Sequence, residues 1–260
     1  MESTLLAVVV ATLVAGLGGF LVPALIARIP PHVPVETAAQ PTPAGAEVDG
    51  TVDATPLPDP SVPPDPPEPY PDIARLPGLG WKSALAAAAA GAVVGHALGW
   101  TWALVLWVPL VPVSVALAVV DWRTRLLPTA VLRPTYAVLV VLVLLGWAVT
   151  GDTDAVVRAA CGWLVAGGLY AVLWFIYPRG LGFGDVRLAG VLGIALGWVG
   201  WGPVLVGVYA GFLLGGVLGG LLSVLKIVER KGFPFGPFML LGALVGLLWG
   251  EPLWSALVSG

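Results

Sequence analysis

Eight apolar runs, most of them about as long as a bilayer core is thick, decide what this chain can fold into. They lie near residues 4 to 28, 81 to 99, 101 to 120, 132 to 150, 155 to 177, 186 to 200, 203 to 227 and 237 to 258. A helix needs roughly 20 apolar residues to cross the hydrocarbon layer. The pattern therefore predicts an all-α, polytopic membrane bundle of about eight transmembrane helices. Composition agrees: 58% of residues are hydrophobic, 10% are charged, and the mean hydropathy is +0.95, values outside the range of soluble domains.

Lys and Arg are retained on the cytoplasmic side of short loops, so their positions fix an orientation. With the N-terminus outside, eleven of the twelve basic residues fall inside and only Arg158 falls outside. Asp121 and Asp185 then sit at the cytoplasmic edge, while Asp152 and Asp154 of the GDTD loop sit on the opposite face. The first run opens with Glu2 where a secretory signal would carry basic residues, so it is expected to stay as an anchor.

Residues 1 to 29 form that first transmembrane helix, 30 to 79 a linker, and 80 to 260 the membrane core. The linker is rich in Pro, Ala, Asp and Glu, a mixture that cannot bury enough apolar surface to fold alone. It is expected to be a disordered cytoplasmic segment, with eight acidic residues that could attract a basic peptide. His32, His96 and the lone Cys161 have no neighbours at ligand spacing, so no metal or other cofactor is expected. Nothing suggests a nucleic-acid partner; the lipid bilayer is the expected surrounding.

A carboxylate at bilayer depth is costly and usually faces a bundle interior or water-filled cavity. Asp121 ends one apolar run in VVDWRTRLLPTAV, and Asp185 begins another in GLGFGDVRLAGV. Brought together, two such acids share a proton, leaving one as a base for water and the other as an acid for a carbonyl oxygen. Gly180, Gly182 and Gly184 would let a substrate backbone approach Asp185 or give the loop a positive φ. Each feature also has a structural reading: an Asp at a helix start is a cap, and glycines pack membrane helices.

At this point GFGD at 182 to 185 resembles the GxGD motif of membrane aspartic proteases, and DWRTRLLP at 121 to 128 resembles the segment bearing the first acid of type IV prepilin peptidases. FPFGPF at 233 to 238 is similar to the PFGP segment before that family's last helix, and GFLVPALIARIP at 19 to 30 to its first helix. The ordered set is far more specific than GxGD alone.

The resemblance implies that Asp121 and Asp185 are the catalytic pair. Gly182, Gly184, Arg123, Arg125, Pro234, Gly236 and Pro237 are then supporting or substrate-loop positions, with no metal in the reaction. It also implies a prepilin or pseudopilin substrate, carrying a basic leader and an apolar helix, cut at the cytoplasmic face of the plasma membrane. The paired CxxC motifs of many members are absent from the linker, which leaves N-methylation open. The competing class is a small proton- or cation-coupled transporter or channel component using the same two acids.

Overall fold

The computed structural model describes residues 2–31, 67–178, 181–224 and 234–259. Ten helices follow in order: α1 (Glu2–Gly19), α2 (Val22–Ala27), α3 (Tyr70–Ala74), α4 (Leu79–Leu98), α5 (Trp102–Thr124), α6 (Thr129–Thr150), α7 (Thr153–Ile176), α8 (Phe183–Val199), α9 (Trp201–Val224) and α10 (Gly236–Val258). The eight longer ones take the places of the eight apolar runs. Among the described residues α1, α5, α6, α7 and α10 are long and apolar enough to cross a membrane. Large apolar side chains face outward along several helices, Leu17 at 67% and Phe175 at 81% exposure among them. Only lipid suits such a surface, and the chain is a multi-pass helical membrane protein.

Lipid gives helices no hydrophobic reason to associate, so close packing between small residues must hold them. The molecule follows this rule in three antiparallel pairs: α1 with α4, α7 with α8, and α9 with α10. A methyl group at Gly95 would lie 2.7 Å from the Ala7 carbonyl oxygen, one at Gly197 2.5 Å from that of Arg158, and one at Gly246 2.5 Å from that of Pro203. The backbones of each pair thus touch where the glycines recur. Helix α5 fills the space between the pairs, its Leu106, Trp107, Leu117 and Val120 all buried, and the Trp107 indole donates to the Ala195 carbonyl of α8 at 3.2 Å.

Two details differ from the sequence expectation. The first apolar run is not one helix: α1 ends at Gly19, and the amides of Phe20 and Leu21 fall back on Leu17 and Gly18 in tight turns. Pro23, which has no N–H, is then accommodated in the first turn of α2. In the segment expected to be disordered, residues 32 to 66 lie outside the described residues, but residues 67 to 78 are ordered. There α3 buries Tyr70 and Ile73 in the core.

Short turns set which helix ends share a face. Gly151 adopts φ 69° at the α6–α7 turn, where Asp152 caps α7 by accepting from the Ala155 amide at 2.8 Å. The end of α5 and the starts of α6, α8 and α10 lie together at the other end of the bundle.

Candidate active site

Asp121 occupies the last turn of α5 and is 3% exposed. Its Oδ2 accepts the Gly236 N–H at 2.9 Å. The sequence Pro234-Phe235-Gly236-Pro237 explains why that donor is available. A helix start leaves its first amides without partners. Pro237 has no N–H to offer, and the amides of Phe238 and Met239 bond the Phe235 carbonyl. Gly236 is left, and it turns to Asp121. A Cβ there would sit 2.8 Å from Asp121 Oδ2, so the contact requires glycine.

Asp185 is the third residue of α8 and 8% exposed. Its side chain turns back so that Oδ2 accepts the Gly182 N–H at 2.9 Å, while its own amide donates to the Gly182 carbonyl at 3.0 Å. A carboxylate at this position suits the positive end of the helix. Asp121 and Asp185 lie close enough for their charges to interact, with Oδ2 of each held by a glycine amide.

The GFGD glycines act through space and not through backbone angle. Among the described residues positive φ is confined to Gly78, Gly99, Gly151 and Arg125, and Gly180 lies outside them. A Cβ at Gly184 would come within 2.7 Å of Leu127 Cβ, so the start of α8 rests directly on the α5–α6 connection. Arg125 makes that connection. At φ 57°, a conformation uncommon outside glycine, it ends α5 and donates its amide to the Asp121 carbonyl at 2.7 Å. The chain is thereby redirected to bring Leu127 under Gly184. One segment, 121 to 128, both carries Asp121 and supports Asp185.

Arg123 points elsewhere. Its Nε and Nη2 donate to the two Glu68 oxygens at 2.7 and 2.8 Å, a bidentate pair that ties the residues before α3 to the end of α5. Among the described residues no three His, Cys, Asp or Glu side chains gather as metal ligands would.

Residues 107–224 match the model of the type IV leader peptidase family. The leader peptidase HopD of Escherichia coli is 34% identical over 114 residues, spanning 42% of this chain and 69% of that protein. The chain belongs to the type IV leader peptidase family. Two further relatives bear the name prepilin leader peptidase/N-methyltransferase. That of Aeromonas salmonicida is 31% identical over 62% of this chain and 55% of its own length, and that of Aeromonas hydrophila 31% over 70% and 61%. The chain thus spans somewhat over half the length of these curated relatives. No solved structure matches it.

In this member of the leader peptidase family the matched stretch contains both acids, whereas the Gly236 anchor comes from outside it. Two supports were not singled out by sequence reasoning. Arg187, counted there only as a topological charge, donates to the Thr129 hydroxyl at the start of α6 and lies 4.7 Å over the Phe183 ring. Its carbonyl accepts from the Tyr136 hydroxyl at 2.7 Å, so α8 is fastened to α6 at two points just beyond Asp185. The signal was its place in GFGDVRL. The second is Tyr170 of α7, whose ring packs against Phe235, beside Gly236, with centroids 6.0 Å apart; it left no signal, because an aromatic residue in an apolar helix reads as core.

Proposed function

We propose that this chain is a membrane aspartic endopeptidase that removes the short basic leader from prepilin-like or pseudopilin substrates at the cytoplasmic face of the plasma membrane. The observation that carries this reading is the buried pair Asp121 and Asp185, each with one oxygen anchored by a glycine amide. Interacting carboxylates shielded from water hold one proton between them. The ionised member takes a proton from water as its oxygen adds to the scissile carbonyl carbon. The protonated member gives its proton to the carbonyl oxygen. Collapse of the resulting diol breaks the carbon–nitrogen bond, and the leaving amine takes up a proton.

Orientation follows from charge: eleven of twelve basic residues fall on the side of the two acids, the side retained in the cytoplasm. The acids' place at helix ends fits a substrate cut at the membrane surface, with its apolar helix in lipid, better than an ion path near the midplane.

The test is the purified protein in detergent with a synthetic prepilin, read by mass spectrometry. Asp121→Asn and Asp185→Asn should each lower cleavage by orders of magnitude while folding persists; substantial cutting by either would remove the aspartic mechanism. With S-adenosylmethionine present, a mature product heavier by one methyl group would assign N-methylation to the same chain.

A further inference from the structure

A groove of about 350 Å³ opens between α2, α5 and α6, within the usual size of ligand pockets. Its lining is apolar except for Arg28 and Thr135, and the Thr135 hydroxyl is spent on the Val131 carbonyl at 2.8 Å. Pro109 of α5 and Pro134 of α6 line the two long walls from inside their helices. Each lacks the N–H that would tie it to the preceding turn, which opens the helix there. The short α2 and its exit, set off from α1 by a break, supply the third side through Leu25, Arg28 and Ile29. On α6 the lining ends at Leu142, whose carbonyl takes the Trp102 indole of α5 at 3.1 Å.

Arg28 stands at the opposite end, where α6 begins. It follows the last residue of α2 and is exposed, and among the described residues its guanidinium makes no hydrogen bond or ion pair. This is the end of the bundle that carries the two acids, since α2 packs on α3, and Glu68, just before α3, pairs with Arg123 at the end of α5. What fits is set by length, charge and surroundings. From Ala130 to Leu142 α6 rises about 18 Å, close to one leaflet's half of a hydrocarbon layer of about 30 Å and well short of the full span that a substrate's apolar helix needs. A guanidinium without a partner suits a phosphate, whereas it would repel a basic leader. The groove faces lipid, with Val138 on its edge 52% exposed.

We propose that this groove binds one anionic phospholipid from the leaflet on the side of the acids, its phosphate on the Arg28 guanidinium and one acyl chain laid between α5 and α6. Basic pockets between membrane helices recognise such head groups. The acyl chain covers the apolar walls that the protein leaves open, and the head group gives Arg28 the anion it lacks. One molecule thereby joins α2 to α5 and α6, and so steadies the helix that ends at Asp121.

The experiment uses the full chain in nonionic detergent with three probes: dioleoylphosphatidylglycerol, dioleoylphosphatidylcholine and inorganic phosphate. Native mass spectrometry should show one phosphatidylglycerol retained per chain, preferred over phosphatidylcholine by about fivefold, the scale of one basic residue at an anionic head group. Arg28→Gln should abolish the preference. Val138→Trp, which fills the groove from its exposed edge and leaves Arg28 in place, should lower retention of both lipids. Equal retention of the two lipids by the unaltered chain, or a preference that survives both substitutions, overturns the proposal. Phosphatidylglycerol should also raise the melting temperature; an equal rise with inorganic phosphate would mean a head-group site without the groove, and overturns it too. So does a raised KM for synthetic prepilin in Val138→Trp with phosphatidylglycerol retention unchanged, since the groove would then hold substrate. Should either variant fold poorly, phosphatidylglycerol with a photoactivatable group on its acyl chain decides with the unaltered protein: crosslinks confined to α5 and α6 support the site, and crosslinks spread over all lipid-facing helices overturn it.

Discussion

The Gly236 amide, at the first residue of α10, donates to Oδ2 of Asp121 at 2.9 Å across 115 positions of sequence. The contact leaves no room for a side chain, since a Cβ would lie 2.8 Å from that oxygen. Gly236→Ala keeps the amide but must displace either the carboxylate or the start of α10. Cleavage should fall at least tenfold with a change of only a few degrees in melting temperature, measured by prepilin turnover and thermal unfolding in detergent. An alanine variant with full activity would show that the anchor does not position Asp121.

Arg123 gives the opposite expectation. Its guanidinium is committed to Glu68, and both side chains are partly exposed, at 41% and 31%. Such pairs contribute about 0.2 to 1 kcal/mol and are screened by salt. Arg123→Gln should therefore retain cleavage within about threefold, and a double-mutant cycle with Glu68→Gln should give a coupling below about 1 kcal/mol that shrinks in high salt. A loss comparable to that expected of the aspartates would assign Arg123 a direct part in the reaction.

The α9–α10 pair can be tested through Gly246, where a methyl group would meet the Pro203 carbonyl oxygen at 2.5 Å. Gly246→Ala forces two backbones apart, and overpacking of this kind costs about 1 to 3 kcal/mol. The melting temperature should drop. Activity should fall with it, because α10 carries Gly236 at its start.

Tyr70 supplies a pH test away from the membrane spans. Burial pushes its hydroxyl from 10.0 up to about 12. Between those values the unfolded chain has released the proton and the folded chain has kept it, so stability falls as pH rises through the window. Thermal unfolding followed from pH 9 to 12 should show this decline, and Tyr70→Phe should flatten it. An identical slope in the variant would place the titration elsewhere.

Long-range order was legible in the sequence wherever a periodic or compositional signal exists. The eight apolar runs became the eight longer helices, and Asp121 and Asp185 stood out because carboxylates are rare in such runs. Contacts between distant segments were not legible. Nothing in FPFGPF says that the Gly236 amide meets Asp121, since that follows from which helix ends share a face. Helix α3 spans five residues, too few to show a period, and it follows a proline-rich stretch whose composition reads as linker; its order comes from burying Tyr70 and Ile73. The glycines of GFGD suggested backbone freedom, whereas the constraint at Gly184 is the Leu127 side chain. Arg125 takes the left-handed turn that sequence rules would give to glycine, because the exit from α5 must occur there.

Among the described residues both carboxylates are held by peptide amides and not by Arg, Lys or His. An amide carries no net charge and neither gains nor loses a proton over any pH at which a protein survives, and salt has little to screen in it. The donors that anchor the pair are thus unchanged from acid to base and from low ionic strength to high, although each bond is stronger to an ionised carboxylate than to a protonated one. Whatever response to pH the protein displays at this site originates in the two acids and in what approaches them, because the supports are electrically mute.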